Sequence, residues 1–292
     1  MTVVIASARP RAPKAGQAGG QLAAGKFTYL VLAAVTLVSA APLLWTVVAA
    51  STSNTKINQA TPNLLPGPNL FHNFGRAFTD VNMGKALLDS VIVSTAVAAG
   101  TVMFGTLAGF AFAKLRFRGR NALLGLTIGT MMIPYQIGIV PLYLLMAKLH
   151  WAGDLKSVIV PTLVSAFGVF FLRQYLITAL PDELIEAARI DGASNLRIFS
   201  SIVLATARPA MAVLGMLTFM STWNDLFWPL IALGGSDHPT VQTEIAALSS
   251  GYVPDQSEIM AGTLLGILPV LFVFMVLGRQ IVGGIMQGAV KG

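Results

Sequence analysis

Residues Pro181 to Ala193 read Pro-Asp-Glu-Leu-Ile-Glu-Ala-Ala-Arg-Ile-Asp-Gly-Ala, and a second polar piece runs on from Ser194 to Pro209. Together they form the one long, charge-bearing, helix-forming stretch between two strongly apolar runs. Pro181 suits a first helical turn, where its missing N–H is no loss. Asp182 and Glu183 follow in that turn, well placed against the helix dipole. Leu184, Ala187 and Ala188 share a face with Pro181 by the i, i+3, i+4 rule. Gly192 can take the positive φ that stops a helix. Ala193 to Val203 then gives a second amphipathic piece, with Leu196, Phe199, Ile202 and Val203 on one side. The expected unit is helix, sharp turn, helix, too short and too polar to cross a bilayer. Glu186, Arg189 and Asp191 flank a face flattened by Ala187 and Ala188. On these residues alone, the unit is either a docking element for a soluble partner or a partnerless amphipathic helix on the membrane surface.

The chain around this stretch is apolar. Of 292 residues, 55% are hydrophobic and 11% charged, with mean hydropathy +0.73. Soluble domains carry about 25% charged residues, so the composition predicts a polytopic membrane protein of the all-α class. Six runs, near 27–50, 86–113, 122–146, 157–176, 210–233 and 260–282, each approach or exceed the roughly 20 residues a spanning helix needs. They define a six-helix membrane domain over 26–284. It carries a cytoplasmic loop at 177–209, a basic arm at 1–25 and a short tail at 285–292. A basic arm before an apolar run can be a secretory signal, with Ala49–Ala50 as a cleavage site. A signal core is only about 7–15 residues, however, so the first run is expected to be retained. The polar segment from Ser51 to Lys85, with Pro62, Pro66 and Pro68, reads as a loop holding one short helix near Asn73–Asp80.

Basic residues set the orientation. With both termini inside, fourteen of the nineteen Lys and Arg residues fall on the inner side, among them Lys114, Arg116, Arg118 and Arg120 in one short turn. The expected location is the cell membrane, with both termini and the 177–209 loop in the cytoplasm. The net charge of +7 is read as this topology signal, not as a nucleic-acid surface.

Several chemistries are excluded. The chain has no cysteine. His72, His150 and His238 fall in predicted loops without metal-ligand spacing, so no metal is expected. No catalytic residues are assigned, since no buried Ser–His pair or paired carboxylates appear. There is no G-x-x-x-x-G-K-[ST] loop for ATP. Intramembrane charge is the better guide to function. Asp225 falls in the fifth run beside Trp223, Asn224 and Trp228. An aromatic face with polar groups around it suits a sugar. The same groups could instead satisfy backbone freed near Pro229, or meet a neighbouring subunit. Tyr135 and Gln136, beside Pro134, are further cavity candidates. Asp89 reads as a cap or interface residue, and His238, in an acidic loop, as solvated. Pro42, Pro134, Pro141, Pro161, Pro229 and Pro269 are possible kinks.

The stretch from Glu186 resembles the cytoplasmic "EAA" loop of the inner-membrane permeases of ATP-binding cassette (ABC) importers. That loop runs Glu-Ala-Ala, Gly a few residues on, then Ile, one residue, Leu-Pro. Here Glu186, Ala187, Ala188, Asp191, Gly192, Ala193, Phe199, Ile202 and Leu204 stand at its positions. Ala205 replaces the proline after the leucine, and Pro209 occupies a later proline position. The strings Leu107-Ala-Gly-Phe-Ala-Phe-Ala-Lys114, Pro134 to Pro141, Trp223-Asn-Asp-Leu-Phe-Trp-Pro-Leu230 and Gly288-Ala-Val-Lys-Gly292 are similar to the carbohydrate branch, in particular its maltose-G-like subunit. The resemblance implies the type I importer permease fold. It implies a complex with a second, different permease subunit, two ATPase subunits that hold ATP and magnesium, an extracellular substrate-binding protein and membrane lipid. The permease itself would bind no cofactor. Glu186 to Ala193 would insert into the ATPase, and the tail residues Gln287, Lys291 and Gly292 would lie near the ATPase pair. A di- or oligosaccharide is the implied substrate, with a glycerophosphodiester as the alternative. A stand-alone secondary transporter is the rival from another class.

Overall fold

A computed structural model describes residues 25–289 apart from 60, 62 and 63, with side chains up to Val276. The basic arm up to Ala24, Pro62, Lys291 and Gly292 lie outside the described residues. The chain divides between Trp45 and Thr46 into two units. In the first, the chain from Lys26 onward is the apolar beginning of α1 (Lys26–Ser51). There Thr36 Oγ1 donates to Leu32 O at 2.8 Å, which satisfies the hydroxyl within the helix itself.

The second unit begins with the end of α1. It continues through α2 (Asn54–Ile57), α3 (Leu70–Thr79), α4 (Met83–Lys114) and α5 (Arg120–Thr130). A 3-10 turn (Tyr135–Gly138) leads into α6 (Ile139–Lys148), α7 (Lys156–Thr162), α8 (Ala166–Ala179), α9 (Asp182–Ile190) and α10 (Asn195–Ile198). A π turn (Phe199–Val203) joins α10 to α11 (Leu204–Trp223), followed by α12 (Phe227–Ala232), α13 (Val241–Leu248) and α14 (Gln256–Ala289). Every regular element among the described residues is helical. Among the described residues, five helices are long and apolar enough to cross a membrane, or six if the bent pair of α5 and Tyr135–Lys148 is one span.

α4 is the axis of this unit. Its 32 residues, at about 1.5 Å each, make it roughly 48 Å long. α8 and α11 pack along it, and α14 packs on α11 and α3. The α4–α8 crossing is close because glycine lets it be. A Cβ at Gly109 would stand 2.9 Å from Arg173 N and 3.1 Å from Leu172 C, a distance at which backbones meet only without side chains.

Prolines shape the spans as expected in part. The third span bends by 90° between Thr130 and Tyr135, where Pro134 (φ −58°, ψ 123°) forces the residue before it away from helical geometry. Pro141 falls in the first turn of α6, where a missing N–H costs little. Pro161, Pro209 and Pro269 lie inside helices, and each removes a backbone donor from the ladder. An aromatic side chain meets the loosened backbone near each one. Trp228 Nε1 donates at 3.0 Å to Ser157 O, the carbonyl four residues before Pro161 that lost its donor. Tyr175 Oη lies 3.4 Å from Thr206 O, three residues before Pro209. Trp223 Nε1 donates at 3.0 Å to Gly266 O, three residues before Pro269. Only Ser157 O is the carbonyl that the missing N–H would have met, and a freed polar group in an apolar interior needs such a partner.

The fifth span differs from the run expected at 210–233. Its helix spans Asn195–Trp223, through the π turn, and Asn224 to Leu226 separate it from α12. Apolar residues of α12 extend the hydropathy run. The break comes from polar chemistry instead: Asp225 Oδ1 accepts from Phe227 N at 3.0 Å, which starts a new helix. Ala205, where the resembling loop carries proline, lies within uninterrupted helix.

Candidate coupling element and substrate path

The Glu186 stretch folds as helix, turn, helix. Pro181 caps α9 in an extended conformation, and Asp182 and Glu183 occupy its first turn. At the other end, Ala193 N donates to Ala188 O at 2.9 Å and Gly192 N to Arg189 O at 3.0 Å. With Gly192 at φ 79°, this is a Schellman stop, which a residue with a Cβ adopts only under strain. Ser194 Oγ then accepts from Arg197 N at 3.3 Å, capping α10.

The unit is fixed to the spans by apolar packing. Ile185 is 4% exposed and clusters with Phe110 and Ala113 of α4, Leu176 of α8, Leu180, Ile198, Phe199, Val203 and Ala207 of α11. Ala188 and Ala193 pack against that cluster. One ion pair adds to it: Lys114 Nζ lies 2.6 Å from Asp182 Oδ1, with the lysine side chain 7% exposed and the aspartate 75%. The hydrogen bond and charge of Lys114, with the charge of Arg116, hold the Asp182 carboxyl below the ordinary range. Lys114 reads in the sequence only as a topology marker, and nothing in its spacing announces the bond to Asp182.

The two faces divide differently from the expected pattern. Ala187 and Ala188 do not share a surface: Ala188 packs inward and Ala187 is exposed. Leu184 belongs to the exposed side and Ile185 to the buried one. In the second piece, Leu196 is exposed and Ile198 takes the buried position. The buried faces are set by what α4, α8 and α11 offer opposite them, and the π turn at Phe199–Val203 shifts the phase of the second piece. The outward face therefore carries Leu184, Ala187, Ile190 (86% exposed) and Leu196, with Glu186, Arg189 and Asp191 also exposed around it.

The path candidates sit at two helix breaks. Tyr135 and Gln136 are exposed on the 3-10 turn that follows the 90° bend. Asn224 is exposed and Asp225 half-buried at the end of α11. Asn224 Nδ2 donates to Met220 O at 2.8 Å, and its Oδ1 lies 3.5 Å from Gln242 Nε2 of α13. Trp223 does not join them. It is 2% exposed, stacked on Phe219 at a ring distance of 5.7 Å, with its N–H given to Gly266. A tryptophan so placed offers no open face to a ligand, and Trp228 is buried likewise.

The opposite end of α4 is held by polar bonds that the sequence reading missed. Asn73 Nδ2 donates to Ala50 O at 2.8 Å and Thr52 O at 3.0 Å. Arg76 Nη1 lies 2.6 Å from Asp255 Oδ2, and the same guanidinium bonds Glu258. Burial would raise the Asp255 carboxyl, but hydrogen bonds from Ser257 and Arg76 hold it below the ordinary range. His238, expected to be solvated, is only partly so: its Nδ1 lies 3.2 Å from Oδ2 of buried Asp89. Asp89 thus ties α4 to the loop before α13 within the chain.

The comparisons with known proteins agree with this architecture. The family described as "Binding-protein-dependent transport system inner membrane component" matches residues 101–286, from within α4 to near the end of α14. The lactose transport system permease protein LacG of Rhizobium radiobacter is 32% identical over 263 residues, covering 90% of this chain and 95% of that protein. The arabinooligosaccharides transport system permease protein AraQ of Halalkalibacterium halodurans is 32% identical over 261 residues, covering 88% and 93%. The sn-glycerol-3-phosphate transport system permease protein UgpE of Yersinia pestis is 31% identical over 269 residues, covering 89% and 95%. Among solved structures, a chain of a bacterial ABC transporter involved in the import of the acidic polysaccharide alginate superposes with TM-score 0.74 at 22% identity, covering 87% of this chain and 94% of that one. At that identity the fold is what the two share. With the family match running through α9 and both helix breaks, this chain belongs to the inner-membrane components of binding-protein-dependent transport systems, the permease subunits of ABC importers.

Proposed function

We propose that this chain forms, with a second and different permease subunit, the membrane path of a sugar importer fed by an extracellular binding protein and driven by two ATPase subunits. The observation that carries the reading is α9 itself: apolar and exposed on one side, packed on the other against the ends of α4, α8 and α11. Glu186, Ala187, Asp191 and Gly192 present the element to an ATPase cleft, and Ala188 and Ala193 hold it to the spans. The tail, with Gln287, Lys291 and Gly292, lies near the ATPase pair. Both termini then face the cytoplasm, in keeping with the distribution of Lys and Arg. ATP and magnesium are held by the ATPase subunits. This chain makes and breaks no bonds and binds no cofactor.

Movement of the ATPases would push on α9. A close-packed core transmits displacement with little compression, so the ends of three spans would move with it. The breaks at Pro134 and Asn224 are where such motion opens a path. Tyr135, Gln136, Asn224 and Asp225 supply donors and acceptors suited to sugar hydroxyls, with Trp223 supporting them from the core. Two of the relatives are named for sugars and one for glycerol phosphate. An anionic substrate, such as a glycerophosphodiester, would meet the carboxylate of Asp225, which favours the neutral sugar.

The test is coupling. Glu186→Lys and Gly192→Pro should each abolish uptake and substrate-stimulated ATP hydrolysis while the subunit still reaches the membrane. Coupled hydrolysis at normal rates in both variants would refute the docking role. Uptake into proteoliposomes without any ATPase subunit would make the protein a secondary transporter instead.

A further inference from the structure

We infer that the turn between α4 and α5 is a binding site for the phosphate headgroup of an anionic phospholipid. The inference rests on the cytoplasmic placement of this turn proposed above. A groove of about 370 Å³ opens here, lined by Arg116, Phe117, Gly119, Arg120, Asn121 and Ala122. That volume lies in the range of roughly 300–1,000 Å³ common for small-ligand sites.

The charge in the groove is unbalanced. Lys114 is committed to Asp182, but Arg116, Arg118 and Arg120 take part in no ion pair among the described residues. Arg120 is held in place by Nη1, which donates to Leu115 O at 3.3 Å. Its Nε is buried and has no hydrogen-bond partner among the described residues. A buried donor left without an acceptor is costly, and a small turn of the Arg120 side chain toward an anion in the groove would remove that cost. Gly119, at φ 79°, turns the chain into α5 with no side-chain cap on the first amides, so N–H groups at the start of α5, where Gly119 to Ala122 line the groove, are left to other acceptors. Guanidinium groups suit a phosphate because two N–H donors can meet two of its oxygens.

The surroundings identify a lipid as the source of the phosphate. Phe117 is exposed beside the groove, as interfacial aromatics are, and it packs against Phe112 at a ring distance of 5.9 Å. Beyond the groove, Leu123 and Leu126 of α5 are exposed and give acyl chains an apolar surface. The charge of Arg116 also reaches Asp182, at the start of α9. A bound headgroup would therefore sit one residue pair away from the docking element.

The experiment uses the purified full chain, incubated with phosphatidylglycerol or phosphatidylcholine and examined by native mass spectrometry after partial delipidation. The expected result is selective retention of phosphatidylglycerol, reduced at least about tenfold in the Arg116→Gln/Arg120→Gln double variant, given two lost lipid contacts of the usual strength. Equal retention by the variant overturns the inference. So does displacement of the lipid by millimolar inorganic phosphate, which would mark a site for soluble anions. A photoactivatable phosphatidylglycerol gives a test without substitutions: adducts should map to residues 115–126, and adducts confined to other segments overturn the site. Because the chain has no native cysteine, Arg118→Cys reports its side of the membrane through an impermeant maleimide. Labelling from outside the cell would overturn the topology and the inference together. Labelling from inside, with unselective lipid retention, would overturn the lipid site and leave the proposed function standing.

Discussion

The two ends of α4 are held by different balances of apolar packing and polar bonds. At the Lys114 end, α9 and α10 are fixed to α4, α8 and α11 by a continuous apolar cluster, with the Lys114–Asp182 ion pair at its edge. At the Met83 end, where Met83 and Ala86 are fully buried and Ala86 clusters with Val241, a set of polar attachments is added, mostly side chain to backbone or side chain to side chain. Asn73 holds the end of α1, Arg76 holds Asp255 and Glu258, His238 holds Asp89, and Ser90 Oγ accepts from Val241 N at 2.8 Å. Apolar packing is non-directional and short-ranged, so it transmits a push from any side without depending on pH or salt. Polar attachments are directional and respond to both. The contrast is in keeping with the coupling role proposed for α9 at the first end.

The most direct way to break the comparison is to put a charge into the apolar end. Ile185→Asp buries a carboxylate in the cluster without a partner, which costs more than about 4 kcal/mol if the packing stays closed. The expected outcome is release of α9 from the spans: lost coupling of ATP hydrolysis to uptake, with trypsin cleavage appearing between Arg173 and Arg197. Ile185→Ala should keep the fold at a cost of about 2–4 kcal/mol. If Ile185→Asp couples normally, the apolar attachment is not what carries the motion.

That attachment is also where the sequence was most legible, for a physical reason. Helix period, Gly192 and the acids of the first turn are local signals, and the element they predict is present. The phase of its two faces was not legible, because the direction in which Ala187 and Ala188 point depends on what α4 and α8 offer opposite them. The same limit applied to Trp223. Beside Asn224 and Asp225 it reads as a sugar platform, yet its indole is taken by Gly266 O, 43 residues on. The 90° bend was signalled by Pro134 alone. The break at Asn224 was hidden, because α12 is as apolar as the helix before it. Polar contacts far apart in sequence, such as Arg76 with Asp255 or Lys114 with Asp182, leave no periodic trace at all.

A second variant probes the polar end. Arg76→Gln leaves Asp255 and Glu258 without their cation. Breaking such a pair costs about 3–5 kcal/mol when fully buried, and with Arg76 one-third exposed a loss of about 2 kcal/mol is expected. Asp255 also predicts a pH dependence. Its carboxyl is held below its unfolded value, so its contribution is present above about pH 4 and lost as pH falls through the lower folded value. Thermal unfolding of the purified protein should show part of its acid destabilisation disappear in Arg76→Gln. A variant that loses stability at pH 7 but keeps the full acid slope would mean that Arg76 acts by packing alone.

The smallest expected effect has the opposite sign and tests whether all carboxylates at this end stabilise it. Glu244 of α13 accepts from Asn82 N at 3.2 Å. Burial pushes its carboxyl above the ordinary range, and the bond from Asn82 only partly offsets this. A raised carboxyl favours the fold when protonated, and that advantage is lost as pH rises through the folded value. At neutral pH the ionised group is therefore a slight liability. Glu244→Gln keeps an acceptor for Asn82 and removes the charge, so it should raise the unfolding temperature slightly at pH 7, with the gain shrinking toward pH 4. A fall in stability at pH 7 would mean that the charge of Glu244 is itself an attachment, which would put it beside Arg76 and Asp89 among the polar bonds of this end.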